Sequence, residues 1–213
     1  MNESPYIRDV EYDTLTEFRK ECVDRFGGIL DIPTGTQSEE LLRRYSGGKV
    51  LDVGAGANTP VRGFLKIDAP NYYSIDSDSH HEYTYRSIAD VPSHLTFDLI
   101  VMSQVLEHLT VDDGIDHLRR AFSLLRSSAF LVASVPNAHH PIRYHSTVTH
   151  LTNWPYGDFY SVFRSVGFNV IALLRSNKFP PSRNPLVRWL VRQMCRQFRM
   201  DWCDTLILTA QRP

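Results

Sequence analysis

One acidic residue and two glycines, spaced D-x-G-x-G, could bind a ligand through the main chain. Asp52 lies in an apolar run, and Gly54 and Gly56 follow it at intervals of two residues. Glycines in such a turn allow unusual backbone dihedrals and let a ligand approach the backbone closely. The acid would repel a pyrophosphate but not a ligand that carries amines. Thr59 stands where dinucleotide-binding turns have a third glycine, so the pattern differs from theirs.

Polar residues also follow two later apolar runs. Asp76 comes directly after residues 72–75 and lies 20 positions beyond the second glycine, about the length of one helix and one strand. Ser103 and Gln104 come directly after the run from 97 to 102. Because α/β sheets bind ligands at the carboxyl ends of their strands, we expect these side chains to meet at one edge of a sheet.

These segments resemble class I S-adenosylmethionine-dependent methyltransferases, especially the type 11 and type 23 enzymes of ubiquinone biosynthesis and of glycan and small-molecule methylation. The first motif of that family is an acid followed by G-x-G-x-G, and residues 52–58 match it with asparagine in place of the last glycine. Residues 97–109 are similar to the family's fourth strand and the turn after it, and residues 134–137 to the end of its fifth strand. The resemblance covers about residues 48–174 and a last strand near 205–210.

The resemblance implies S-adenosylmethionine as the cofactor and a set of residues that bind it. Asp76 would accept hydrogen bonds from the ribose hydroxyls. The loop around Ser87 and Ile88 would contact the adenine, and Ser103 and Gln104 would line the methionine end. The complete set of implied cofactor-binding residues is Asp52, Gly54, Ala55, Gly56, Asp76, Ser87, Ile88, Ser103 and Gln104.

Strand and helix signals alternate along the chain. This alternation predicts an α/β protein with a mostly parallel sheet and helices on both faces. The resemblance adds that the fold is Rossmann-like and that the sheet has seven strands. We expect one domain over residues 1–213, with a helical cap at 1–46, a cofactor-binding core at 48–174 and a basic amphipathic helix at 184–200 before the last strand.

The composition agrees with one enzyme domain. The 213 residues are 42% hydrophobic and carry a formal net charge of −1, which gives no general attraction to nucleic acid. The three cysteines show no C-x-x-C spacing, and their odd number favours reduced thiols in a cytosol. The first residues do not resemble a secretion signal, and no apolar run reaches the roughly 18 residues of a membrane span. We therefore expect a cytoplasmic protein that does not bind DNA.

Five histidines are candidates for the base that removes a proton from the acceptor. An imidazole changes its charge near neutral pH and is the commonest side chain in this role. Four of them lie in the segment 137–154 with Tyr144 and Trp154, and we expect this segment to form the acceptor pocket. The motif at 136–137 lacks the signature of enzymes that methylate amino groups of bases and glutamine, which favours oxygen as the acceptor atom. The candidates are His108, His139, His140, His145 and His150.

Glu107 and His108, with Gln104 before them and His150 after, are similar to the metal constellation of methyltransferases that act on small-RNA 3′ ends. That constellation has an acid where this chain has Gln104. Because the loss of a hard oxygen ligand weakens Mg²⁺ binding, we expect no metal and no effect of chelation on activity. In the alternative, Glu107, His108 and His150 bind a divalent ion, which requires that they converge in the fold.

Residues 186–200 form a basic amphipathic pattern. Arginines recur on one helical face and apolar residues on the other, and no acid occurs before Asp201. Such a helix can lie on an anionic membrane surface or bind a phosphorylated substrate. It can equally pack on the sheet with a solvated charged face. The arginines are Arg188, Arg192, Arg196 and Arg199.

Together these patterns predict an enzyme that transfers a methyl group from S-adenosylmethionine to a small-molecule or glycan-like acceptor, at oxygen. Lipid-linked or phosphate-bearing acceptors agree with the arginine pattern, as does peripheral membrane contact through residues 186–200. Two other hypotheses stay open at this stage. The first is an RNA methyltransferase, and the second is a regulatory protein that binds S-adenosylmethionine without catalysis.

Overall fold

A single six-stranded sheet forms the centre of the protein. The computed structural model describes residues 10–142, 147–178 and 183–213. Among the described strands the order is β2-β1-β3-β4-β6-β5, and β6 runs in the direction opposite to the other five. The strands are β1 (Val50–Val53), β2 (Tyr72–Ile75), β3 (Phe97–Ser103), β4 (Leu125–Pro136), β5 (Asn169–Lys178) and β6 (Cys203–Gln211).

Helices cover both faces of this sheet, as the alternation of signals predicts. They are α1 (Tyr12–Phe26), α2 (Gln37–Arg44), α3 (Pro60–Leu65), α4 (Val111–Leu124), α5 (Tyr156–Val166) and α6 (Pro185–Phe198). The core on one face contains residues of α1, α4 and α5, and the smaller core on the other face contains residues of α2 and α3. The mixed α/β, Rossmann-like fold is therefore confirmed.

The sequence of β3 explains why both faces are covered. Successive side chains of a strand point to opposite sides, so a continuous apolar run must be buried on both. Leu99 and Val101 belong to the smaller core, whereas Ile100 and Met102 belong to the larger one. A strand with this pattern is stable only between two layers of helices.

The expected seventh strand is not present among the described residues. After β2, the chain returns to the sheet through a single bridge between Ile75 and Tyr85, with the Tyr85 N–H donating to the Ser74 carbonyl at 3.0 Å. The intervening residues 76–82 are all polar and cannot supply an alternating apolar face. The edge of the sheet beside β2 therefore holds a loop, which contains a short 3₁₀ helix at residues 88–90.

The N-terminal part of the chain packs across the sheet. Helix α1 lies against α5, where the Tyr160 hydroxyl donates to Glu21 at 2.6 Å and Arg19 pairs with Asp158. Residues 33–35 then pair with β5, because Gly35 N–H donates to the Arg175 carbonyl at 3.0 Å. In the part of the chain that the structure describes, none of the helices has both the length and the apolar character needed to cross a membrane.

Candidate functional site

The turn after β1 is built so that its backbone faces open space. The N–H groups of Gly54 and Ala55 donate to the Ile75 carbonyl at 2.9 and 3.0 Å, which joins the turn to the end of β2. Gly54 has φ +72°, and a Cβ there would lie 2.5 Å from a methyl group of Val105, so no other residue fits. Gly56 also has positive φ, and no described atom would lie within 4 Å of an added Cβ. A ligand can therefore approach the main chain at Gly56.

Asp76 is the acidic group at this open face. One carboxylate oxygen accepts from the Gly56 N–H at 2.9 Å, and the other accepts from the Asp78 N–H at 3.0 Å. These two bonds fix the carboxylate beside the glycine turn. Because a carboxylate has about four acceptor positions, it can still accept hydrogen bonds from two hydroxyl groups.

Asp52 lies beneath the turn and is only 1% exposed. Its carboxylate accepts a hydrogen bond from the Tyr72 hydroxyl at 2.6 Å. Burial raises the pKa of this carboxyl to about 6, against the hydrogen bond from Tyr72, which lowers it. In this geometry Asp52 supports the turn from inside the sheet, and a direct contact with the cofactor stays a prediction.

Ser103 and Gln104 lie at the end of β3 in a small hydrogen-bond network. The side-chain amide of Gln37 donates to Ser103 Oγ at 2.5 Å, and Ser134 Oγ donates to the Gln37 carbonyl oxygen at 3.1 Å. Gln104 has φ +55°, and its N–H donates to the Ser134 carbonyl. The network joins the ends of β3 and β4 to the first residue of α2.

Gln37 is a site residue that sequence reasoning missed. It follows Thr36, whose side chain and that of Glu39 form a capping box, so the sequence does contain a signal for a helix start here. That signal fixes where α2 begins. It does not predict that the first residue of this helix bonds to Ser103, 66 residues further along the chain at the end of β3.

Ser87 and Ile88 lie at the start of the short 3₁₀ helix that follows β2. Ser87 caps the short 3₁₀ helix, and Ile88 is buried in the core. Both line a groove of about 320 Å³ that is completed by side chains of α4, including His117 and Arg120. Their contact with the adenine of a cofactor remains a prediction.

Glu107, His108 and His150 do converge. One potential ligand atom from each lies within 4.8 Å of those of the other two, and the two imidazole rings meet edge to face at 5.1 Å. Glu107 is 1% exposed, and neither carboxylate oxygen has a hydrogen-bond partner in the described part of the chain. Burial raises the pKa of this carboxyl to about 7. We call these three residues the Glu-His-His cluster.

The backbone holds the two parts of this cluster together. The Glu107 carbonyl accepts from the N–H groups of Leu151 and Thr152 at 2.7 and 3.1 Å. The Thr152 hydroxyl donates to the Leu109 carbonyl at 2.6 Å. These bonds fix the segment that carries His150 against the 3₁₀ helix at residues 106–108, which follows β3.

Two of the remaining histidine candidates, His139 and His140, do not join the cluster. His139 lines a cavity of about 450 Å³ between the end of α1, the start of α5 and the end of α6, together with Tyr156, Arg196 and Arg199. His140 is buried, 3.5 Å from the Asp204 carboxylate and edge-on to Trp202. His145 lies outside the described residues, as does Tyr144. The five candidates therefore occupy at least two separate places.

The ring of His139 has one defined donor and one unpaired nitrogen. Its Nδ1 lies 3.1 Å from the Arg199 carbonyl, which can only accept, so Nδ1 carries the proton. The other ring nitrogen, Nε2, then keeps its lone pair. It is buried and has no hydrogen-bond partner among the residues described.

A buried ion pair forms the wall behind this cavity, and no sequence pattern indicates it. Arg175 on β5 donates to Asp201 at 2.9 Å and to the carbonyls of Ile32 and Leu30 at 2.8 and 3.0 Å. The Asn137 side-chain amide donates to the second Asp201 oxygen at 2.8 Å. This network joins the segment after α1, the residue after β4, strand β5 and the segment before β6.

The ends of β1, β2 and β3 provide what S-adenosylmethionine requires. The open backbone at Gly56 offers close approach, Asp76 offers acceptors for two hydroxyl groups, and Ser103 and Gln104 offer polar groups one strand further along. The cofactor and these residues therefore fit each other.

Comparisons with known proteins agree with this geometry. The family described as "Methyltransferase domain" matches residues 33–173. A SAM-dependent methyltransferase from Archaeoglobus fulgidus superposes with a TM-score of 0.62 at 14% identity, over 94% of this chain and 100% of that one. A Mesorhizobium loti SAM-dependent methyltransferase gives 0.55 at 16% identity, over 84% and 99%. The N-methyltransferase NodS of Bradyrhizobium japonicum gives 0.52 at 15% identity, over 83% and 94%. No curated protein matches the sequence.

Proposed function

Because the chain belongs to the methyltransferase-domain family and is an S-adenosylmethionine-dependent methyltransferase, we propose that it methylates an oxygen atom of a small-molecule or glycan-like acceptor. The observation that carries the acceptor side of this proposal is the cavity of about 450 Å³ beside His139. A cavity of this size suits a small molecule or one end of a larger one.

The donor supplies a methyl group activated by a sulfonium. The residues of this chain bind and orient the donor and the acceptor, and one of them removes the proton from the acceptor hydroxyl. In the proposal, Asp76 accepts the ribose hydroxyls while the backbone at Gly56 lies against the nucleoside. Ser103 and Gln104 orient the methionine end. Alignment of donor and acceptor then supplies most of the rate enhancement, since a well-oriented pair avoids the entropic cost of a bimolecular encounter.

His139 is the proposed proton acceptor for the hydroxyl group. It lines the cavity, its Nδ1 proton is fixed by the Arg199 carbonyl, and Nε2 has a lone pair without a partner among the described residues. Arg196 and Arg199 line the same cavity and favour an acceptor that carries a negative group, such as a phosphate. A phosphate-bearing or lipid-linked hydroxyl compound satisfies both requirements.

Titration with S-adenosylmethionine and with its demethylated product tests the cofactor side. We expect micromolar binding of both, and we expect Asp76→Ala to weaken it by about 1.5–3 kcal/mol, the usual range for hydrogen bonds to a charged group. Asp78→Ala is the matched control. It removes the same charge two residues further along the chain, and the Asp78 carboxylate contacts His80 and His81 rather than the glycine turn. Calorimetry that detects no heat with either ligand, but tight binding of NAD, would refute the proposal.

The same samples separate the alternative functions. A regulator would bind S-adenosylmethionine with the same dependence on Asp76 but would transfer no methyl group to hydroxyl compounds. An RNA methyltransferase would transfer the label to RNA and not to small molecules. Methyl transfer from radiolabelled donor to a panel of phosphorylated and glycosylated hydroxyl compounds, with RNA as a separate arm, distinguishes the three.

Helix α6 is the proposed site of membrane contact. Its buried residue is Cys195, while six apolar side chains are between 38 and 65% exposed. These are Leu186, Val187, Trp189, Leu190, Met194 and Phe198. The exposed apolar side chains argue against a helix that simply packs on the sheet. Exposed apolar groups next to four arginines suit an anionic bilayer, which offers both a hydrocarbon layer and negative charge.

Vesicle sedimentation tests this contact. We expect binding to vesicles with anionic lipid and much weaker binding to neutral ones. Arg188→Ala combined with Arg192→Ala should reduce binding by about 2 kcal/mol, since each arginine near an anionic surface contributes about 1 kcal/mol. Lys20→Ala with Arg119→Ala removes the same charge elsewhere and should have little effect. Equal binding to both vesicle types, or binding to RNA alone, would contradict the proposal.

A further inference from the structure

We infer that the Glu-His-His cluster is a binding site for a divalent transition-metal ion such as Zn²⁺ or Mn²⁺. The inference replaces the sequence-based expectation of an enzyme without a metal. That expectation rested on Gln104, which is not a member of the cluster. The three members supply two imidazole nitrogens and one carboxylate, each with a potential ligand atom within 4.8 Å of the others.

Glu107 is the member that most needs a cation. Its carboxylate is buried, and neither oxygen has a donor among the residues that the structure describes. An isolated carboxylate in such a position is costly unless it is paired or bound to a metal. Neither hydrogen bonds nor an arginine or lysine offsets that cost here, within the same described residues. A metal ion between the carboxylate and the imidazoles would do so.

His108 is oriented as metal-binding histidines are. Its Nδ1 lies 3.1 Å from the Thr149 carbonyl, which can only accept, so Nδ1 carries the proton and Nε2 keeps the lone pair. A ligating histidine commonly donates its other ring N–H to a carbonyl or carboxylate in this way. His150 lies edge-on to His108 at 5.1 Å, and the backbone bonds to the Glu107 carbonyl fix its segment.

The separations of the ligand atoms are compatible with a metal ion. Ligand atoms about 2.1 Å from a tetrahedral zinc ion lie about 3.4 Å from one another, and the atoms of the cluster all lie within 4.8 Å of one another. His108 is exposed and His150 is half-buried, so rotation of these two rings can adjust the distances.

Two imidazoles and one carboxylate select the class of ion. Imidazole suits zinc and other first-row transition ions, whereas Mg²⁺ demands nearly all-oxygen coordination. Three protein ligands leave at least one position open. Glu107 and His108 follow β3 at the same sheet edge as Ser103, so a water molecule or another oxygen ligand can occupy that position. Metal binding does not depend on the proposed function.

The test is calorimetric titration of chelator-treated protein with Zn²⁺, Mn²⁺ and Mg²⁺, and titration with Co²⁺ followed by visible absorption. We expect one equivalent of Zn²⁺, Co²⁺ or Mn²⁺ per chain, with Mn²⁺ bound more weakly than the other two, and weak binding of Mg²⁺. His150→Ala and Glu107→Gln should each reduce the affinity by roughly 10- to 100-fold or more, because residues that only orient ligands already contribute that much. His94→Ala, which changes an exposed histidine outside the cluster, should bind as the parent does.

Circular dichroism of each variant establishes that it is folded, and Glu107→Gln preserves the side-chain shape if His150→Ala does not fold. A folded parent that binds neither Zn²⁺ nor Co²⁺, or variants that bind them as tightly as the parent, would overturn the inference. S-adenosylmethionine titrations of the same samples separate the two proposals. If the parent protein binds the metal but not S-adenosylmethionine, the result counts against the proposed function and still supports the metal site.

Discussion

Replacing His139 by alanine is expected to lower kcat by about 10²- to 10⁴-fold, the usual contribution of a positioned general base. The residue lines the cavity and has one ring nitrogen without a partner among the residues described. The affinity for S-adenosylmethionine should stay nearly unchanged, because His139 follows β4 whereas the residues proposed to bind the cofactor follow β1, β2 and β3. Steady-state kinetics with the acceptor found in the panel, together with cofactor titration, measures both quantities.

His140→Ala is the matched control for this variant. It removes the neighbouring imidazole, which contacts Asp204 and Trp202. His140 is not among the described residues that line the cavity. A His139→Ala enzyme that turns over within a few-fold of the parent would exclude His139 as the base. If the alanine variants of His108, His140, His145 and His150 also turn over normally, general-base catalysis by histidine is wrong and alignment alone must suffice.

Replacing Asp201 by alanine is expected to lower the free energy of unfolding by about 3–5 kcal/mol. Arg175 would then be a buried charge without its partner, and such losses are among the largest that single substitutions cause. Asp201 also accepts from the Asn137 amide, so the change removes one of the two hydrogen bonds of that amide and leaves its bond to the Cys203 carbonyl. Urea denaturation followed by circular dichroism measures the effect.

The exposed pair of Arg119 and Asp116, at 3.2 Å, provides a control of the same chemistry. Asp116→Ala should change stability by less than about 1 kcal/mol, because water screens an exposed pair. The double variant Arg175→Met with Asp201→Leu should recover part of the stability lost in Asp201→Ala, since apolar groups of similar volume can replace a buried ion pair. A loss in Asp201→Ala no larger than that in Asp116→Ala would contradict this account.

Local patterns in the sequence were sufficient for most of the fold. The apolar runs at residues 72–75 and 97–102 correspond to β2, which spans Tyr72–Ile75, and β3, which spans Phe97–Ser103. The glycine turn and Asp76 also follow from neighbouring residues. In each case the information lies within a few residues, so a single sequence contains it.

Contacts between distant segments could not be predicted in the same way. Gln37 bonds to Ser134 97 positions away, and Arg175 bonds to the Ile32 carbonyl 143 positions away. Neither contact corresponds to a periodicity or a residue spacing in the sequence from which it could be predicted. The convergence of Glu107 and His108 with His150 depends on backbone bonds from residues 151 and 152, whose sequence has no metal motif of its own. The seventh strand was expected from the resemblance alone, and the polar residues after β2 do not support it.

The position of β6 has a consequence for how the enzyme is assembled. Because β6 is inserted antiparallel between β4 and β5, the last of the described strands in chain order completes the interior of the sheet. The proposed cofactor residues all precede residue 105, whereas the lining of the cavity includes Tyr156, Arg196 and Arg199. Long-range contacts form late because their loop-closure entropy must be overcome first. During synthesis, the donor side of the site can therefore take shape before the acceptor side exists.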